Sequence, residues 1–158
     1  MTKTAEAENP VAEYANAFEL LGGTRIVRHI PDTPVQLHKL LARGLPSRAL
    51  TTMSGAFTVI NGDEWIVKAV SISPRTYARY KLTPAKLLDR DQSDRTWRSA
   101  MILAKAIDVF GSRKEAEEWL STPAMALDKQ RPIDLLSTTT GVQLVSDILG
   151  RIDYGVYT

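Results

Sequence analysis

Between Ser73 and Lys81 the chain reads SPRTYARYK. Five of these side chains suit a nucleic-acid surface: Ser73, Arg75, Thr76, Arg79 and Lys81. Ser73 before Pro74 is a helix cap, and the free amides at such a helix start can meet a phosphate. Arg pairs in bidentate fashion with guanine, while Thr contacts a base edge or a thymine methyl. The residues just upstream must position this set. Asn61-Gly62-Asp63-Glu64 has capping-box spacing and opens a short helix with Ile66, Val67 and Val70. Ser71-Ile72-Ser73 then breaks it. A short helix, a tight break and a second short helix make a helix-turn-helix, whose second helix can enter the major groove. Ile66, Val70, Ile72, Tyr77 and Tyr80 are spaced to fill the angle between the two. Many such motifs carry Ala in the first helix and Gly in the turn. Val67 and Ser71 stand there instead, so this turn must be made without Gly. The competing reading is a helical hairpin that touches no nucleic acid.

Catalytic chemistry finds little to use. The chain has no Cys, which excludes disulfides and thiolate zinc sites. Its two His, His29 and His38, belong to no metal-ligand pattern such as H-E-x-x-H, and His38 is expected on a charged helix surface. A Walker phosphate loop and a dinucleotide glycine fingerprint are both absent. Glu117-Glu118 is expected on a solvated helix face, where paired carboxylates solubilise. No enzyme, metal or cofactor is expected.

The elements that hold these residues are helical. The chain has 158 residues, 44% apolar and 24% charged, which suits one globular domain or two small helical ones. Asn9-Pro10 starts a first helix with Val11, Tyr14, Ala15, Phe18 and Leu21 at helical spacing, closed by Gly22-Gly23. Thr33-Pro34 starts a second, ended by Gly44, and a third follows Pro46. The run DRDQSD is expected as a turn-rich bridge before a long helix from about Gln92 to Phe110. There Trp97, Ala100, Met101, Ala104, Ile107 and Phe110 trace one apolar stripe. Ser112 caps a helix that reaches Pro123, Pro132 begins a short one, and Thr138 to Gly150 forms the last. FTVI, residues 57–60, is the one strand-like run and too short for a sheet. The fold class is all-α. No apolar stretch is long enough to span a membrane, and the first residues lack the basic-then-apolar order of a secretory signal, so the cytoplasm is expected. Net charge is uneven. Residues 1–20 carry −3, residues 21–100 carry +7 and residues 101–158 carry −2. The basic middle coincides with the helix-turn-helix, as a phosphate-binding footprint would.

From Val109 onward the chain has a specific pattern. Its pieces are Phe110-Gly111, Trp119-Leu120, Thr122-Pro123, Ala126-Leu127, Arg131-Pro132, Leu135-Leu136, Thr138, Gly141, Leu149-Gly150-Arg151-Ile152 and Tyr154-Gly155-Val156. In this order and spacing they resemble the toxin-binding domain of bacterial antitoxins of the Xre/MbcA/ParS group. GLPSRAL and the helix-turn-helix fit the same antitoxins, and the resemblance runs from about Val35 to Thr158. One departure concerns a motif that is often Asn-Pro-Ala-Leu followed by a Gly-rich turn. Here it is Ala124-Met125-Ala126-Leu127, then Asp128-Lys129. Independently of the resemblance, Ile152, Tyr154, Val156 and Tyr157 crowd apolar and aromatic groups into the last residues given, a composition that docks against something.

The resemblance implies an organisation and a partner. Residues 1–30 would be an N-terminal extension, 31–90 the helix-turn-helix domain, and 91–158 a linking helix with the toxin-binding domain. The partner would be a RES-domain toxin that consumes NAD, inhibited sterically by this chain. Trp119, Leu127, Arg151, Asp153, Tyr154, Val156 and Tyr157 would face it. The other half would bind operator DNA and repress the operon, as a homodimer matched to two half-sites. The alternative is a stand-alone helix-turn-helix regulator whose C-terminal half dimerises or senses a ligand.

Overall fold

The structure is a computed structural model that describes residues 10–155. Its elements follow the helix punctuation. The helices are α1 (Pro10–Leu21), α2 (Pro34–Arg43), α3 (Arg48–Gly55), α4 (Gly62–Lys68), α5 (Pro74–Leu82), α6 (Arg90–Phe110), α7 (Arg113–Leu120) and α8 (Thr139–Asp153). Three 3-10 turns, Gly23–Arg25, Met125–Leu127 and Pro132–Leu135, complete the regular structure. The described residues form no strand, so the protein is all-α. Thr33, Asn61, Ser73, Asp89, Ser112 and Thr138 each accept an amide of the helix they open. The expected Asn9 cap lies outside the described residues.

The bridge expected at DRDQSD is instead the start of α6. Asp89 accepts the Gln92 amide at 2.7 Å, and the Gln92 side chain accepts the Asp89 amide at 3.2 Å. This reciprocal box starts the helix at Arg90, two residues earlier than the apolar stripe suggests. The segment before it is pinned to the start of α3. Ser47 donates its amide to the Lys86 carbonyl at 2.7 Å and its hydroxyl to the Thr83 carbonyl at 2.6 Å. The buried Leu45 amide donates to Ser93 Oγ at 2.9 Å.

α6 is the axis of the molecule. At its N-terminal end Trp97 packs on Tyr14 and Phe18 of α1, with ring centroids 5.5 and 4.6 Å away. At its C-terminal end it packs on α7 and α8. One apolar core runs through both ends, from Phe18 and Leu21 through Met53, Trp65 and Leu103 to Leu120 and Leu149. The 3-10 turn Pro132–Leu135 and α8 approach so closely that a Cβ on Gly141 would lie 1.7 Å from the Leu135 carbonyl oxygen. Only glycine fits there.

Glu117 is not on a solvated face. It is fully buried, unlike exposed Glu118. Its Oε1 accepts the amides of Thr58, Val59 and Ile60 at 3.0, 2.9 and 3.0 Å. FTVI is therefore an irregular bend whose backbone donors, lacking a neighbouring strand, converge on one carboxylate. The Arg113 guanidinium closes the other side, 3.6 Å from Oε2 and stacked over Phe57. Burial pushes the Arg113 value down, and the Glu117 charge pulls it back up.

Candidate nucleic-acid interface and partner-binding surface

α4 and α5 meet as a helix-turn-helix. Asn61 Oδ1 accepts the amides of Asp63 and Glu64 at 2.9 and 3.3 Å. The turn without Gly is made by Ser71, which takes a left-handed conformation at φ 57°. Ser73 then caps α5, accepting the Thr76 amide at 3.2 Å and donating to the Thr76 hydroxyl at 3.0 Å. Ile66, Val70, Ile72, Tyr77 and Tyr80 are all buried in the angle, as their spacing predicts. Both tyrosines also anchor α5 through their hydroxyls. Tyr77 bonds Ser54 of α3, and Tyr80 donates to Gln92 of α6 at 2.7 Å.

This anchoring sets which side of α5 faces out. With about 100° per residue, Arg75, Arg79 and Leu82 fall within about 60° of one another, opposite the tyrosines. All three are exposed. Lys81 is turned elsewhere. Its ammonium lies 3.6 Å from Asp63 of α4 and 4.5 Å from the Tyr77 ring centre. Thr76 is half-buried with its hydroxyl on Ser73, and Ser73 itself is exposed at the helix start. Of the five sequence-predicted residues, the structure brings Arg75 and Arg79 together on the outward stripe. It puts Ser73 and Thr76 at the N-terminal edge and ties Lys81 to α4.

The second candidate surface divides in the same way. Leu127 is buried, and Trp119 is half-buried against Phe110 with centroids 5.5 Å apart. Both hold their domain together. Arg151, Asp153 and Tyr154 are exposed, Tyr154 by 64%. Val156 and Tyr157 lie outside the described residues. Two exposed apolar side chains were not singled out from the sequence. Leu144 sits on the outer face of α8 with Arg151, exposed Tyr154 follows at the helix end, and Met125, 78% exposed, opens the 3-10 turn that ends at Leu127. Leu144 is legible in principle, since it is out of phase with buried Gly141, Val145 and Leu149. The loop after Leu127 uses Asp128 and Lys129, both left-handed at φ 53° and 64°, to make the turn that the family often makes with Gly.

Arg131 links this domain to the helix-turn-helix. It pairs with Asp134 through two bonds of 2.9 and 3.0 Å and with Glu64 of α4 at 2.7 Å. These partners raise its value above that of an ordinary guanidinium, Asp134 most. Glu64 therefore turns away from Asn61 and leaves the expected capping box half made.

Among the described residues no three His, Cys, Asp or Glu gather as a metal site, and no helix is long and apolar enough to cross a membrane. A cavity of about 580 Å³ between α1, α6 and α8 is lined by Trp97, Met101 and Val142 with Arg98, Lys105 and Asp108, and holds no His.

A basic helix presented by a tight turn, on one body with a small helical domain that exposes apolar anchors, defines a helix-turn-helix protein with an appended binding domain. Comparison makes this specific. Residues 36–101 match the antitoxin Xre-like helix-turn-helix domain, and residues 105–155 match the antitoxin Xre/MbcA/ParS C-terminal toxin-binding domain. The chain belongs to the Xre/MbcA/ParS-type antitoxins, a family of binding proteins rather than enzymes. It is similar to the antitoxin Xre of Yersinia enterocolitica, 33% identical over 94 residues, which are 59% of this chain and 63% of that one. The chain thus spans somewhat less than two thirds of that relative. It is also similar to the antitoxins Xre of Photorhabdus laumondii and Pseudomonas putida. Both are 29% identical, over 76% of this chain and 80% and 72% of theirs. α1 precedes both matched regions.

Proposed function

We propose that this chain is the antitoxin of a RES-domain toxin that consumes NAD, and that it inhibits by covering the toxin's active-site entrance. The observation that carries the reading is the outer face of α8 in the matched toxin-binding domain. There Leu144, Arg151 and Tyr154 point away from the core, with Tyr154 64% exposed. Exposed Tyr and Arg are the residue types that anchor protein interfaces. Inhibition of this kind needs no chemistry from the inhibitor, only a rigid plug. The α5 stripe binds the operator and represses the operon, and two copies act together on two half-sites in the cytoplasm. Residues 31–90 serve DNA and 91–158 serve the toxin, with α6 shared between them. Co-expression with a RES toxin tests the inhibitory half. The full chain rescues growth, and a chain ending before Arg151 or carrying Arg151→Ala with Tyr154→Ala does not. Undiminished rescue by both altered chains would refute the α8 surface. A folded chain that binds its promoter but no toxin would favour the stand-alone regulator instead.

A further inference from the structure

Leu82 ends α5, and at 83% exposure it is the most exposed large apolar side chain among the described residues. It does not lie on a neutral surface. It shares the outward stripe with Arg75 and Arg79, and one flank opens into a cleft of about 260 Å³ lined by Arg79, Tyr80, Leu82, Thr83 and Lys86. Two cations thus share a cleft with one aliphatic side chain. A duplex offers a matching pair of features, phosphates on the strand and, in the major groove, the C5-methyl that distinguishes thymine.

We propose that Leu82 reads a thymine methyl, with Arg79 and Lys86 holding the phosphates beside it. The inference rests on the reading of α5 as the DNA-binding helix. It adds a specificity residue to that reading. Arg75 sits two helical turns away at the N-terminal end of the same stripe, about 10 Å along the axis, which is the distance of about three base pairs. A guanine read by Arg75 and a thymine read by Leu82 would then be separated by two or three pairs within a half-site. Lys81 takes no part, because Asp63 and the Tyr77 ring hold it on the other side of the helix.

The test uses the full chain and its own promoter fragment, made once with thymine and once with deoxyuridine, which lacks only the methyl. Wild type is expected to bind the deoxyuridine duplex about fourfold more weakly for each methyl that Leu82 covers. Leu82→Ala is expected to bind thymine DNA as weakly as wild type binds deoxyuridine DNA, and to distinguish the two duplexes by less than twofold. Site selection from random duplexes should keep the guanine preference in Leu82→Ala and lose one thymine per half-site. The substitution is on the surface, so an unchanged helical circular dichroism spectrum is expected beside these losses. Equal binding of both duplexes by wild type, or undiminished methyl discrimination by Leu82→Ala, would overturn the assignment while leaving DNA binding intact. So would a wild-type dimer that becomes monomeric on Leu82→Ala in sedimentation, which would make Leu82 a contact between copies. A wild-type chain that binds neither duplex would overturn the DNA-binding reading itself.

Discussion

Replacing Glu117 with Ala should remove more stability than any other single carboxylate change. The structure gives the reason. One fully buried oxygen accepts three consecutive backbone amides at 2.9 to 3.0 Å, and the other takes the Thr58 hydroxyl at 3.4 Å and faces Arg113 at 3.6 Å. Truncation leaves those three donors without an acceptor, at about 1–3 kcal/mol each before water enters the space. It also leaves the partly exposed Arg113 guanidinium without its counter-charge, which adds about 1–2 kcal/mol. The two penalties overlap, so the expected loss is about 4 kcal/mol, a large part of the total of about 5–15 kcal/mol for a domain. Glu117→Gln keeps an oxygen for the amides and forfeits only the charge, so about 1–2 kcal/mol is expected. Urea unfolding followed by tryptophan fluorescence gives both values, because Trp65 and Trp97 are buried near the bend and in the core. The function follows the fold here. The clamped bend runs directly into Asn61, which caps α4, so operator affinity should fall in step with stability. A cost below about 1 kcal/mol for Glu117→Ala, or equal costs for Ala and Gln, would show that the convergent amides do not carry the energy assigned to them.

Three other outcomes are expected. Ser71→Gly and Lys129→Gly should each raise stability by about 1 kcal/mol in thermal unfolding, since both residues hold a left-handed conformation that costs a side chain about 1–2 kcal/mol; a lowered midpoint in either would mean that the side chain compensates. Arg79→Ala should weaken operator binding and flatten its salt dependence by up to about one unit of slope, Arg75→Ala should weaken binding and relax the guanine preference, and Lys81→Ala should change binding less than either. A double-mutant cycle on Arg131 and Glu64, both about one-third exposed, should give a coupling of about 1 kcal/mol once solvent screening is allowed for, and zero coupling would mean the pair is incidental.

Most of the fold is written in local signals. Caps followed by apolar residues at helical spacing locate six of the helix starts, because a cap is a contact between residues two or three apart. The stripe from Trp97 to Ile107 marks α6 for a similar reason, although Asp89 and Gln92 start it sooner. What the sequence hides is contact across long separations. Glu117 and Glu118 are the same residue type side by side, yet one is buried and the other exposed, and only the arrival of residues 58–60 decides which. Trp65 passes unnoticed in a short polar-looking helix and proves fully buried. Lys81 belongs to the basic run in sequence and to Asp63 in space. Leu82 reads as the end of a helix, and its exposure emerges only when Tyr77 and Tyr80 are seen to anchor the opposite side. The surface around Tyr154 is half legible, since aromatic residues near the end of a helix announce contact without naming Leu144 or Met125 as neighbours in role.

The grip of Arg131 on Glu64 gives the two-part organisation a mechanical sense. Glu64 and Lys68 lie one turn apart on α4, and both reach the 3-10 turn Pro132–Leu135. Glu64 does so through Arg131 at 2.7 Å, and Lys68 through Asp134 at 3.9 Å. The next residue along from this grip, Asp63, holds Lys81 of α5. Surface ion pairs contribute little to stability one at a time, so this chain of charges is a poor account of why the protein folds. It is a better account of orientation. Guanidinium–carboxylate forks are directional, and an apolar core alone tolerates small rotations of one helix against another. With Glu117 clamping the bend before α4 and Arg131 holding its outer side, the outward stripe of α5 and the outer face of α8 are carried by one rigid frame rather than by two beads on a linker.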